Sequence, residues 1–170
     1  PAHTGVVRVR LVVALVMLAV FRRHTLNSSL PNQYTLRNLS LIALIITLIQ
    51  ITTGTQVRER VDEVMILHEA NDWVEHAGSI LSGHVFLSAL LLGLTLQLAW
   101  AGFKSFTKEP VLRRVLIWTL VFTAIQMVSG IANRWMELPA IAQMSHILFG
   151  TLIAGGWFYL WMVLNRKINS

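Results

Sequence analysis

Long apolar runs separated by short polar clusters dominate this chain. Residues 39–53 (LSLIALIITLIQITT), 84–103, 111–132 and 141–164 are mostly Leu, Ile, Val, Ala and Phe with few charges, and the last is polar only at its start. Each is near the roughly 20 residues that carry a helix across a bilayer, so each predicts a membrane helix. A fifth run, 6–21, is short for a span and carries Arg8 and Arg10 near its start. It reads as a helix that begins at or before Pro1. The connection 54–83 is polar and acidic, and its stretch VDEVMILHEANDWVEHAGSIL has the apolar spacing of a helix lying at the interface. The alternative, about 30 residues of structureless loop, is unusual. The pattern therefore predicts an all-α polytopic membrane protein: a four-helix bundle over 36–165 and one preceding helix over 1–24.

Composition agrees, with 55% hydrophobic and 13% charged residues in 170. The formal charge of +6 would point a soluble protein toward nucleic acid, but here its distribution gives another explanation. Nine basic residues, among them Arg22, Arg37, Lys104, Arg113 and Arg166, fall in connections on one side of the expected spans. Arg58, Arg60, Arg134 and seven of the eight acids fall on the other. By the positive-inside rule the basic side is cytoplasmic, so the His84 and His146 ends face outward, in a bacterial inner membrane, with no nucleic-acid partner. The absence of cysteine excludes a disulfide framework, a thiolate metal site and a cysteine nucleophile, and leaves six histidines as the strong metal ligands. Pro1 and the early onset of apolar sequence, with no basic leader region, suggest a piece of a longer chain.

The chain also repeats itself. IQITTGTQVR at 49–58 aligns with IQMVSGIANR at 125–134, 76 residues later. SGHVFLSALLLG from Ser82 aligns with MSHILFGTLIAG from Met144, 62 residues later. The unit is a helix ending in Ile-Gln-x-x-(Ser/Thr)-Gly-x-x-x-Arg, a loop, and a histidine opening the next helix. The leading run, with His3 near its outer end, looks like the last helix of a preceding unit.

A histidine facing the interior of a membrane bundle needs a partner. His84 and His146 occupy equivalent places on two helices expected to lie across the bundle from one another, which suits axial ligation of a haem. The bland alternative is two histidines bonded to carbonyls or capping helix starts. Gln50, Gly54 and Arg58, like Gln126, Gly130 and Arg134, are four apart and stay near one helix face. Glycine would admit a flat macrocycle or a neighbouring helix. Arginine one turn further out would meet haem propionates or act as an interfacial anchor. The glutamines would bond between helices or beside a bound ring. Arg8 and Arg10 mark either a propionate site or the edge of a truncated helix. His24, His68 and His76 read as solvated or interfacial, and Trp73, Trp135, Trp157 and Trp161 as belt or packing aromatics.

ITTGTQVRERVDEV after Ile-Gln, the His-led GHVFLSALLLG, and LVFTAIQMVSGIANRWMELPAIAQMSHILFGTLIAGG together resemble the C-terminal half of haem A synthase over roughly residues 36–165. That family is an eight-helix membrane protein of two pseudo-symmetric four-helix halves, each providing a histidine pair for a haem. The resemblance implies that His84 and His146 hold a haem b cofactor. It implies that His3 corresponds to a histidine of the half that receives haem O, whose C8 methyl is oxidised through hydroxylated intermediates to the formyl group of haem A. It further implies as partners the lipid bilayer, the missing N-terminal half, an electron donor and haem O synthase. The usual His-Arg at the start of the sixth helix reads His84-Val85 here, and the glutamate and paired cysteines of the first outer loop are missing. No acid of this chain inherits the catalytic role, and the stretch alone is expected to bind haem b without being a complete enzyme. Two other readings stay open: a cytochrome b-like electron-transfer subunit, and a scaffold without a cofactor.

Overall fold

A computed structural model describes residues 32–67, 78–135 and 140–166, and every regular element among them is a helix. Helices α1 (Gln33–Leu67), α2 (Gly78–Ser105), α3 (Pro110–Trp135) and α4 (Ala140–Arg166) each contain a stretch long and apolar enough to cross a membrane. Helix starts follow local chemistry. Asn32 adopts a left-handed φ of 58° and offers its carbonyl to Leu36 N at 2.9 Å, starting α1. Pro110 sits at the first position of α3, where no amide hydrogen is needed, and Arg113 N bonds the Glu109 carbonyl at 3.1 Å. The four residues between α2 and α3 force those helices antiparallel.

The helices close a ring in which α1 packs on α2, α2 on α3, α3 on α4 and α4 on α1. Hence α2 and α4 stand on one diagonal and α1 and α3 on the other. At the end away from the histidines, Gln33 Nε2 donates to the Leu164 carbonyl at 2.9 Å and ties α1 to α4. The shared core holds Leu36, Ala43, Leu91, Leu98, Phe106, Leu112, Leu116, Ile153, Trp157, Tyr159 and Leu160. Large apolar side chains such as Ile45, Phe86, Trp100, Trp118 and Val128 point outward, as expected where hydrocarbon replaces water. The inward positions include small hydroxyl residues. Ser40, Thr47, Thr95 and Thr123 are buried, and each donates to the carbonyl four residues back in its own helix. Small, internally satisfied side chains let membrane helices approach closely.

Two expectations change. Of the stretch 61–81, expected as one interfacial helix, 61–67 complete α1, and 78–81 open α2 at Gly78, which has a left-handed φ of 63°. TGTQVRERVDEV contains no proline, and the pairs Arg58–Asp62 (2.8 Å) and Arg60–Glu63 (2.9 Å) support its continued helix past Gly54. Helix α1 therefore runs about 52 Å, well past the hydrocarbon thickness. The first Ile-Gln motif therefore does not end its helix, whereas α3 ends at Trp135, one residue past Arg134, and neither histidine opens a helix. α1 continues 13 residues beyond Gly54, and His84 and His146 each lie six residues inside α2 and α4. The expected span 6–21, the whole segment 1–24 and residues 68–77 fall outside the described residues.

Glycines separate tight from open packing. A Cβ on Gly156 would collide with the Thr119 side chain of α3, whereas one on Gly93 would meet nothing within 4 Å. Gly156→Ala is therefore expected to destabilise the bundle by about 1–3 kcal/mol through overpacking. Thermal unfolding in detergent should show a lowered midpoint for Gly156→Ala, and one unchanged or raised for Gly93→Ala.

Candidate functional site

The repeat builds one constellation twice. On α1, Gln50, Thr53 and Gly54 share the face that meets His84 and Ser88 of α2. On α3, Gln126, Ser129 and Gly130 meet His146 and Gly150 of α4 in the same way. Every member of the second set follows its counterpart by 76 or 62 residues, the two offsets of the sequence repeat.

His84 and His146 converge from the diagonal helices, with ring centres 6.2 Å apart and planes tilted by 54°. Their Nδ1 atoms face hydroxyls of the neighbouring helices: Thr53 Oγ1 is 3.2 Å from that of His84, and Ser129 Oγ 3.1 Å from that of His146. Each hydroxyl has already committed its one hydrogen, Thr53 to the Gln50 carbonyl at 3.1 Å and Ser129 to the Gln126 carbonyl at 2.9 Å. A hydroxyl so committed can only accept, which assigns the ring proton to Nδ1 and makes Nε2 the lone-pair nitrogen of both rings, that of His84 within reach of the Gln50 amide. The Gln126 carbonyl also lies 3.1 Å from Nδ1 of His146.

Gln50 stitches α1 to α2. Its Nε2 donates to the His84 carbonyl at 3.0 Å and to the Ser88 hydroxyl, and lies 3.2 Å from Nε2 of His84. It can give up that last contact and keep two acceptors. The side-chain oxygens of Gln50 and Gln126 are both buried without a hydrogen-bond partner among the described residues. Gly54 and Gly130 have a specific role. A Cβ on Gly54 would stand 3.0 Å from Cε1 of His84, and one on Gly130 3.1 Å from Cε1 of His146. What approaches these glycines is the imidazole of the adjacent helix.

The arginines take other positions. Arg58 pairs with Asp62 on the half-exposed end of α1. Arg134, at the exposed end of α3, lines a cleft of about 370 Å³ with Gly78, Leu81, Ser82, Val85 and Phe86. His3, Arg8, Arg10, His24, His68, His76 and Trp73 lie outside the described residues. Thr53, Ser129, Ser88 and Gly150 were not singled out as site residues, although the hydroxyl before each glycine already recurs in the repeat.

Among the described residues no three or more His, Asp or Glu converge on a metal site. A metal held by protein alone takes about four such ligands. Two opposed imidazoles suit instead a metal whose remaining positions a macrocycle fills, as in haem. Imidazoles bound on opposite sides of one metal, each at about 2.0–2.1 Å through nitrogen, have ring centres about 6 Å apart. The pair fits that arrangement in the spacing of its centres and in its glycine cradles, and Nε2 of His84 becomes available once the Gln50 amide gives up its 3.2 Å contact.

The contact between Gly54 and His84 predicts coupling. Gly54→Ala should cost about 1 kcal/mol or more in the unsubstituted background and little beside His84→Ala, where the obstructing ring is gone. A double-mutant cycle of unfolding free energies in detergent checks this; additive costs would show that the ring is not what the Cβ meets.

A family model described as COX15-CtaA, cytochrome oxidase assembly protein, matches residues 4–156. No curated protein and no solved structure matches the chain. The matched stretch holds both Gln-Gly units and both histidines, and extends the resemblance forward into the leading apolar run. This chain therefore belongs to the COX15-CtaA family of cytochrome oxidase assembly proteins, the haem A synthase family that its motifs resemble.

Proposed function

We propose that this chain is the haem b-carrying part of a membrane oxidoreductase of haem A biosynthesis, with His84 and His146 as axial ligands. The whole enzyme would oxidise the C8 methyl of haem O to the formyl group of haem A. The observation that carries the reading is the imidazole pair, 6.2 Å between centres, with both Nδ1 atoms tied to hydroxyls and the lone pairs left on Nε2, that of His84 in contact with the Gln50 amide, which keeps two other acceptors. Family membership supports the place of that chemistry in cytochrome oxidase assembly.

When bound, haem b would supply one-electron transfer to or from the substrate haem. The chain's own residues hold and insulate the group. Gly54 and Gly130 admit the imidazoles, Thr53 and Ser129 orient them, and Gln50 keeps α1 against α2. Leu91, Ile153 and Trp157 fill the bundle core below and exclude water. Arg58 and Arg134 stand at the same end of the bundle as the histidines and are the candidates for haem propionates. The Arg58–Asp62 pair is half exposed, and such pairs contribute about 0–1 kcal/mol, so exchanging it for a propionate costs little. The charge distribution supports basic connections in the cytoplasm with the histidine end on the outer face, and the membrane proposed is a bacterial inner membrane. His3, the N-terminal half, an electron donor and haem O synthase complete the proposed assembly.

The test is a reduced-minus-oxidised absorption spectrum of the detergent-purified protein beside His84→Ala and His146→Ala. A low-spin b-type spectrum, lost or turned high-spin in either variant, is the expected result. A folded protein with no haem band after haem is supplied would refute axial ligation and return the histidines to a packing role.

A further inference from the structure

The two imidazoles are held alike through a hydroxyl but unlike in what else their Nδ1–H can reach. On the His146 side the acceptors are the Ser129 hydroxyl and the Gln126 main-chain carbonyl, both at 3.1 Å. On the His84 side, among the described residues, the acceptor is the Thr53 hydroxyl at 3.2 Å, with no carbonyl beside it. The difference arises although Thr53 and Ser129 are equivalent in the repeat and both donate to the carbonyl of the preceding glutamine.

We propose that Thr53 and Ser129 are positioning residues that set the electron-donor strength of the two axial imidazoles unequally, Thr53 governing His84 alone and Ser129 sharing His146 with the Gln126 carbonyl. The inference rests on the haem reading above and concerns how that site is tuned. An acceptor on Nδ1–H pushes electron density toward Nε2, strengthens the bond to the metal, and favours the oxidised over the reduced state. A main-chain carbonyl stays whatever side chain follows it. Removing the Ser129 hydroxyl therefore leaves His146 with an acceptor, whereas removing the Thr53 hydroxyl leaves His84 with none. The fixed Nδ1–H also fixes ring orientation, so loss of the acceptor on one side should loosen one imidazole and not the other.

The experiment is a redox titration of the haem-loaded full protein in detergent, read by absorption, for Thr53→Val, Thr53→Ala, Thr53→Ser and Ser129→Ala. The low-spin ferric electron paramagnetic resonance spectrum is recorded for each. Thr53→Val and Thr53→Ala are expected to raise the midpoint potential, increasing the ferrous-to-ferric ratio at fixed potential roughly threefold to tenfold. At 59 mV per tenfold for one electron this is about 30–60 mV. Ser129→Ala should change the ratio by less than about twofold, and Thr53→Ser should restore both the potential and the resonance spectrum. Equal shifts at Thr53 and Ser129, or no shift at either with the low-spin spectrum intact, would overturn the inference while leaving axial ligation standing. Loss of haem from both the Val and Ala variants, with Thr53→Ser loaded normally, would overturn it in favour of simple retention. An unsubstituted protein without low-spin haem would overturn the inference together with the reading beneath it.

Discussion

An imidazole turned into the interior of an apolar bundle must place both of its nitrogens, because a buried polar group left without a partner costs about 1–3 kcal/mol. That requirement organises the histidine end of this fold. Each Nδ1 is settled by a hydroxyl whose own hydrogen is committed to its helix, and each ring edge lies against a glycine backbone. What remains on both sides is a nitrogen lone pair. The sets of Gln50, Thr53, Gly54 and His84, and of Gln126, Ser129, Gly130 and His146, are two solutions of the same problem.

The rest of the bundle serves the placement of that pair. Residues 106–109 force α2 and α3 antiparallel, and the Gln33–Leu164 bond closes α1 on α4 at the far end. With neighbours packed around a ring, the two histidine-bearing helices are left on one diagonal. Without a hydrophobic force between helices in lipid, close packing depends on inward small residues, here Thr119 against Gly156 and the self-satisfied hydroxyls of Ser40, Thr47, Thr95 and Thr123. The large apolar side chains can then face the bilayer, the reverse of a soluble bundle.

Internal duplication gives a symmetric frame, but the frame tolerates differences that matter chemically. Ser88 accepts from Gln50, whereas its counterpart is Gly150, against which the Gln126 amide rests. His146 reaches a main-chain carbonyl through Nδ1, and His84 reaches a hydroxyl. Two histidines that look equivalent in the repeat are thus set in unequal hydrogen-bonding surroundings.

The number and position of the four described membrane helices, the histidine pair and its glutamine and glycine companions were legible in the linear chain. A bilayer demands long apolar runs, and a repeated polar residue within them stands out. The bounds of α3 and α4 were legible to within three residues, but the end of α1 was not, because it extends through TGTQVRERVDEV on local ion pairs and helix propensity after the apolar signal has stopped. Nor was the role of Gly54, Thr53 or Ser129, since what each touches belongs to another helix and depends on its rotation about its axis. The sequence by itself determined a helical membrane bundle with two histidines in repeated settings, because burial in lipid acts on each segment separately. Only the tertiary structure decided that the two rings meet across a diagonal with centres 6.2 Å apart and with hydroxyls set to accept from Nδ1, because that follows from packing between segments far apart in the chain.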